Sequence, residues 1–535
     1  MIEKKLHRMM GLLVMAAFAY GEIPQKNDVP QPSPVKSSFS QNFLSKKSWG
    51  RPDLPETYIS QKGHFKLHYT ISGTDAVPTE TNNPDGVPDW IYNAANYAER
   101  AYHVLVDSMG FDAPPFDGVD GDEYDIYFKN WGGNPYANTY PENPVENTSR
   151  PKDYTTYLVV DNDFVENSYA TRGFEALKVT VSHEFFHMVQ IGYNFNTSNY
   201  LSQMYSGDAF FFEWSSTWFE EFMYPEVNDY VAYAKNFMYS VDSPIWSYNN
   251  SFEYAQGIFL KFIIDRYSTN ILVKTWNKIK SGERAYFAID DVIKDETNTT
   301  LAELYNEYCQ RMYFSGALYD LELSVSEDAQ YFPPMHIHWS HEYEFNNSLE
   351  INDYINYVTT LPIQITFENS QYFGIINSDD FSKELLGRYI YIKNGKYSIN
   401  QFDLKADEFV GISSLEDTLL LFITNINENA AIELKIELNY IAPVNMFSFS
   451  KLYPNPTNGP LNLSVTTKNT GDGIQLKIFN LLGQELMRKK YNHQDNNLYS
   501  ISLNHEFGQP LPSGTYIIQV ESGGKFKTQK FTILK

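Results

Sequence analysis

Apolar residues recur with different periods along the chain. Between residues 51 and about 170 they alternate in short runs. Phe65-Lys66-Leu67-His68-Tyr69, Tyr124 to Phe128 and Tyr157 to Val160 each read as strands. From Trp90 to Met109 the spacing is helical, with Ile91, Ala95, Ala98, Ala101, Val104 and Leu105 on one face. Helical spacing then dominates around 174–192, 213–224, 252–268 and 301–313. Strands first and long helices late predict an α+β domain over 51–340 rather than a doubly wound sheet.

Alternation returns further on. Ile363-Gln364-Ile365-Thr366-Phe367, Leu419 to Thr424 and Ile432 to Ile436 predict a β-sandwich over 341–443. Fold alone does not choose between a spacer, a cover and a binding module there. Shorter strands follow over 446–535, among them Leu461 to Val465, Leu476 to Phe479, Tyr499 to Leu503 and Tyr516 to Val520. Turn signals such as Asn458-Gly459 and Pro512-Ser513-Gly514 bound them, so a second all-β sandwich is expected.

Residues 1–19 read as a signal peptide. Lys4, Lys5, His7 and Arg8 precede an apolar run from Met9 to Phe18, and Ala17-Phe18-Ala19 supplies the small–x–small cleavage pattern. Residues 20–50, rich in Pro, Ser, Gln and Asn, read as a linker or short propeptide. No later apolar run is long enough to span a bilayer, so no transmembrane segment is expected in the mature chain. The 41 basic and 66 acidic residues give a net charge of −25, and no basic cluster with interleaved aromatics offsets it. Nucleic acid is therefore not an expected partner. The single cysteine, Cys309, rules out an intramolecular disulfide and reads as a small buried apolar residue.

The chemistry concentrates in His183-Glu184-Phe185-Phe186-His187. On a helix, histidines four apart share a face, so both imidazoles can reach one Zn²⁺ while Glu184 lies beside a metal-bound water as general base. A catalytic zinc needs a third protein ligand and an open position. Gln190 and Tyr193 stand where the metzincin extension requires Gly and His, so that class is excluded. Glu213, 26 positions after His187, begins a second helix from which it can reach the metal; Asp208 and Glu220 are the substitutes, and Glu220 otherwise supports a ligand from behind. The loop from Thr81 to Asp89 partly imitates a calcium site, with Thr where Asp is expected, and reads equally well as a Pro/Gly turn, so Ca²⁺ is a second candidate ion.

Two resemblances add to this reading. The Phe211 to Glu221 segment resembles the gluzincin arrangement, with Phe212 and Trp214-Ser215 as departures. Residues 60–340 as a whole look like a little-characterised group of secreted bacterial metalloproteases. That likeness implies a zincin-like catalytic fold, a peptide or protein substrate, and an oxyanion-steadying phenol at Tyr254 in Glu253-Tyr254-Ala255-Gln256-Gly257. It lacks the Gly-x-Met-Glu-Asn strand by which related aminopeptidases hold a free amine. Asp161 or Asp163 is the substitute anchor, and endopeptidase action is expected. The rival reading is a cell-surface binding or adhesion protein with a degenerate zincin fold. At the other end, Tyr453-Pro454-Asn455-Pro456-Thr457, Ile478 to Gln484, Leu511 to Tyr516 and the final Lys-Phe-Thr-Ile-Leu-Lys resemble the type IX secretion system C-terminal sorting domain. That implies a secreted or surface-exposed protein and the type IX machinery as a partner.

Overall fold

The structure is a computed structural model. It describes residues 50–145, 153–195, 208–248 and 251–345. Of 348–534 it describes all but 368–371, 378–383, 394, 403–408, 413–416, 428–429, 441–447, 450–451, 453, 459–460, 467–472, 493–497, 503–510 and 523–524. The signal peptide and, apart from Gly50, the linker lie outside the described residues.

A five-stranded sheet comes first, in the order β1-β2-β3-β5-β4. Its strands are β1 (Glu56–Ile59), β2 (Phe65–Tyr69), β3 (Tyr124–Lys129), β4 (Ala137–Pro144) and β5 (Tyr154–Asp161). Strands β2, β3 and β5 run parallel, and β1 and β4 close the two edges antiparallel. Helix α1 (Asp89–Tyr102) makes the crossover from β2 to β3 and widens into a π-helical turn over His103–Ser108. The period-two pattern divides the sheet. Phe65, Leu67, Ile126, Phe128, Leu158, Val160 and Ala137 face the helices, while Tyr127, Tyr157, Val159 and Tyr140 pack on the opposite side with Leu54 and Trp131. There Arg51 ties the chain down: its guanidinium binds Asp117, Asp125 and Glu142 and lies 5.1 Å above the Tyr157 ring.

Among the described residues eight more helices follow: α2 (Gly173–Tyr193), α3 (Ala209–Met223), α4 (Ala234–Met238), α5 (Phe252–Ala255), α6 (Gly257–Arg266), α7 (Asn270–Lys280), α8 (Ala285–Glu296) and α9 (Leu301–Met312). Helix α2 is apolar nearly all round and buried from Ala176 to Tyr193, as a helix packed between a sheet and other helices must be. Its neighbour α3 in turn meets α6 at Gly257, where a Cβ would come within 2.8 Å of the Thr217 Cβ. Helix α9 opens with a capping box, Thr300 accepting from the Glu303 N–H and Glu303 from the Thr300 N–H.

Two sheets form the next layer: β11-β10-β13-β8-β6 and β12-β9-β14-β7. The strands are β6 (Glu342–Phe345), β7 (Ser348–Ile355), β8 (Thr360–Phe367), β9 (Tyr372–Asn377), β10 (Leu385–Lys393), β11 (Lys396–Phe402), β12 (Phe409–Ile412), β13 (Thr418–Asn425) and β14 (Ile432–Tyr440). Leu419, Leu421 and Ile423 of β13 point into the sandwich with Ile363, Ile365 and Leu434. Leu420 and Phe422, on the other face of β13, join the core beneath the helices. Burial on both faces is why Leu419 to Ile423 is a continuous apolar run rather than an alternating one. The seam also carries polar bonds: Asn306 of α9 donates to Phe422 O (3.0 Å) and Thr424 Oγ1 (2.7 Å), and Gln310 to Tyr389 O (2.7 Å). Arg266 and Arg311 bind Glu307 there; burial pushes that carboxyl up, but the guanidiniums outweigh it and hold it down to about 2. Cys309 is buried at this seam, which pushes its thiol up to about 12. The remaining strands are β15 (Ser448–Phe449), β16 (Asn462–Thr466), β17 (Ile474–Asn480), β18 (Glu485–Tyr491), β19 (Leu498–Ser502), β20 (Gly514–Ser522) and β21 (Lys525–Ile533). They form the sheets β15-β16-β19 and β18-β17-β20-β21 around a separate core that includes Leu463, Val465, Leu476, Ile478, Ile518 and Val520.

Candidate metal centre

Helices α2 and α3 each turn a polar stripe toward the other inside an otherwise apolar core. On α2 the stripe is His183 and His187, one turn apart, with rings 4.6 Å between centroids. On α3 it is Glu213, Ser216 and Glu220, spaced three and four apart along one face. Glu213 Oε2 lies 3.3 Å from His183 Nε2 and 3.5 Å from His187 Nε2. One ligand atom from each of the three residues falls within 4.8 Å of the others. Helix α3 begins at Ala209 rather than at Glu213, so Glu213 sits one turn inside it.

The ring nitrogens facing away from this point are occupied. Glu220 binds His183 Nδ1, and Gln190 Oε1 binds His187 Nδ1 at 2.7 Å, leaving both Nε2 atoms directed at Glu213. Gln190 is itself held, donating to Phe212 O (3.1 Å) and Ser216 Oγ (3.2 Å). Burial pushes the Glu220 carboxyl up to about 7 against the pull of His183. Burial pushes Glu213 the same way, but the nearby His187 and His183 outweigh it electrostatically and hold it down to about 2. Glu213 Oε2 is buried and accepts no hydrogen bond. An orphaned carboxylate oxygen between two imidazole nitrogens whose far sides are already bonded is a donor set that suits a divalent transition metal. Of the substitutes for the third corner, Asp208 is engaged with Arg284 and the Ala285 N–H, and Glu220 supports His183 from behind.

Glu184, beside the histidines on α2, is 8% exposed. Thr139 of the edge strand β4 donates to its Oε2 at 2.6 Å, which fixes the rotamer of the carboxylate. The register of β4 follows from one bond: Asp161 N donates to Tyr136 O at 2.9 Å. Residues 136, 138 and 140 therefore make the ladder bonds to β5, and the N–H and C=O of Ala137 and Thr139 turn away from β5, where both residues are buried. Pro141 takes the next outward position, where a missing N–H removes no ladder bond. Tyr254 stacks over His183 with centroids 6.1 Å apart, and Tyr248 OH donates to Glu213 Oε1 at 3.5 Å. Burial, and after it the Glu213 charge, raises the Tyr254 phenol well above its ordinary value, so it stays protonated.

Asp161 is fully buried and accepts from the N–H groups of Trp131, Asp163 and Phe164. That is the wiring of a structural turn rather than of an amine anchor. In the Thr81–Asp89 loop, the Asp89 carboxylate accepts from Asn82 and Asn83, so the turn closes on itself with protein donors. Thr139, Ser216 and Tyr248 were not among the residues the sequence singled out, and Gln190 was read only as excluding the metzincin spacing. Gln190 and Ser216 each lie three positions after a ligand, spacing that puts them on the same helix face; nothing in the sequence marks Thr139, which is 45 positions from Glu184.

The support behind His183 can be tested directly. If the cluster takes zinc, Glu220→Gln is expected to lower its affinity by about 10–100-fold while the fold is kept, since outer partners of a ligating imidazole typically carry that much. Competition with a chromophoric chelator measures it, and an unchanged affinity would remove Glu220 from the centre.

Residues 451–534 match the family described as the secretion system C-terminal sorting domain. The chain is accordingly exported by the type IX route, to the cell surface or beyond, and engages that machinery. No helix among the described residues is long and apolar enough to cross a membrane. Comparison with curated proteins gives no match. Among solved structures, PorZ, a surface component of the type IX secretion system of Porphyromonas gingivalis, is 14% identical over 24% of this chain and 15% of its own (TM-score 0.13). Latent PorU of the same organism is 11% identical over 36% and 19% (TM-score 0.18). The lysozyme inhibitor PliG of Salmonella Typhimurium is 12% identical over 19% and 98% (TM-score 0.15). The chain thus spans a small part of PorZ and PorU, and likenesses at these scores carry no statement about its fold or activity.

Proposed function

We propose that the helical domain is a zinc metallopeptidase, a zincin-like α+β unit acting on extended polypeptide outside the cell. The observation that carries this reading is the buried meeting of His183 Nε2, His187 Nε2 and the unpartnered Glu213 Oε2, with Glu184 fixed beside them. Zinc held by those three residues would polarise the scissile carbonyl and acidify water. Glu184, aligned by Thr139, takes the proton of the attacking water and passes it to the leaving amine. Tyr254, a protonated phenol above His183, donates to the developing oxyanion; Tyr248, beside Glu213, is the second phenol within reach.

The lack of a Gly-x-Met-Glu-Asn segment between Tyr154 and Glu175 supports the endopeptidase form of this reading. The adhesion reading asks for no carboxylate held at Glu184, and both oxygens of the buried Asp161 already accept backbone N–H groups. The test loads the purified chain with zinc and compares an internally quenched peptide, blocked at both ends, with an amino-acid anilide. Cleavage of the blocked peptide is expected. Hydrolysis of the anilide alone would overturn the endopeptidase form, and a chain that takes up no zinc would end the enzyme reading altogether.

A further inference from the structure

The sorting domain differs in charge from everything before it. Residues 451–535 hold ten Lys and Arg against five Asp and Glu, in a chain with 41 against 66 overall. The excess is concentrated on one surface. Ile474, Leu476 and Ile478 of β17 face the core, so Lys477 faces out. Opposite it on β18 stands Arg488; Lys490 lies two positions further along β18, opposite Gln475, and Lys530 of β21 pairs with the outward Ile517. Four cations thus share the outer face of one four-stranded sheet.

Two features mark this face, uncompensated cations and exposed leucines. Lys477 and Arg488 are direct cross-strand partners, and like charges so placed cost stability. Glu521 and Glu485 pair with them, but among the described residues Lys490 and Lys530 form no ion pair. At the turn joining β17 to β18, Leu481 and Leu482 are 63% and 84% exposed. The turn is fixed rather than loose: Asn480 Oδ1 accepts from the N–H groups of Leu482 and Gln484, both at 3.0 Å. Two leucines are thereby held out to solvent beside a cationic sheet face.

We propose that this face is where the sorting domain is read, by an acidic protein surface of the export machinery whose apolar pocket receives Leu481 and Leu482. Charge complementarity selects an anionic partner, and a rigid apolar tip beside it gives the register that charge alone lacks. The inference rests on the sorting domain and is independent of the metallopeptidase reading.

The experiment uses the full chain in a bacterium with a type IX system, scoring protein outside the cell against protein retained in the periplasm. K477E/R488E/K490E/K530E and, separately, L481S/L482S are each expected to lower the exported fraction at least about tenfold, a 1.4 kcal/mol loss of recognition. K477R/R488K/K490R/K530R is expected to export normally. Thermal melting of the purified variants checks that they fold. Should the glutamate variant fail to fold, the leucine variant decides alone, because its changes are solvent-exposed. Wild-type export of a folded glutamate variant, or of the leucine variant, overturns the proposal. So does binding of the wild-type chain to phosphatidylglycerol–phosphatidylcholine vesicles that the glutamate variant loses, which would assign the face to lipid.

Discussion

Glu184→Gln is expected to keep its zinc and lose about 10²–10⁴-fold in peptide cleavage, the usual contribution of a positioned general base. The substitution suits this protein because the side chain is isosteric and already held. Thr139 can donate to the amide oxygen as it does to Glu184 Oε2, so the surroundings need not rearrange. What disappears is the capacity to accept a proton. Zinc content by mass spectrometry, read beside turnover of a quenched peptide, separates the two effects. A variant that keeps both metal and full turnover would show that some other group moves the proton. One that loses the metal would mean Glu184 has been misplaced among the ligands.

Glu213→Ala is expected to do the reverse of that separation, removing metal and turnover together. Glu213 is 3% exposed and supplies the one negative charge between two imidazoles. Without it the pair must bind a dication from neutral donors alone. Affinity should fall by more than the roughly 100-fold upper range of an outer partner. The consequence extends to stability, because an ion that binds only the folded chain stabilises it by about 4 kcal/mol at a thousand times its dissociation constant. Added zinc should therefore raise the melting temperature of the wild type and leave that of the variant almost unchanged. Equal zinc-induced shifts in the two proteins would remove Glu213 from the site.

How much of this could be read beforehand depended on whether the signal was local. The helix bearing His183 and His187 was legible because both the motif and its apolar flanks repeat within a few residues; it runs Gly173–Tyr193. The strands at Phe65, Tyr124 and Tyr157 were legible for the same reason. Strand β4 was not, since Ala-Asn-Thr-Tyr-Pro-Glu-Asn-Pro has neither apolar alternation nor a full set of donors; only an edge position tolerates it. With β4 went Thr139. Helix α7 shows a signal that was passed over, its Ile271, Leu272, Thr275, Trp276 and Ile279 following a clear helical period. The expected single helix over 252–268 is two, α5 and α6, parted at Gln256. Tyr254 consequently sits on a short separate turn and not on the long helix behind it.

Strand β13 has a consequence for how the molecule comes apart. Its outer leucines complete the sandwich, while Leu420 and Phe422 complete the core under α9. Nearby, Ile245 N donates to Val358 O and Trp246 stacks on Tyr357, so the loop that leads to Tyr248 leans on the same β layer. Neither part can melt without stripping the other of fully buried side chains, each contributing about 1.5–3 kcal/mol. Heat should therefore find no intermediate in which helices persist beside a molten sandwich. Both surrender in a single cooperative step, and a fragment cut at residue 340 would be half of a folding unit, with Asn306, Cys309 and Gln310 of α9 stripped of their partners in the β layer.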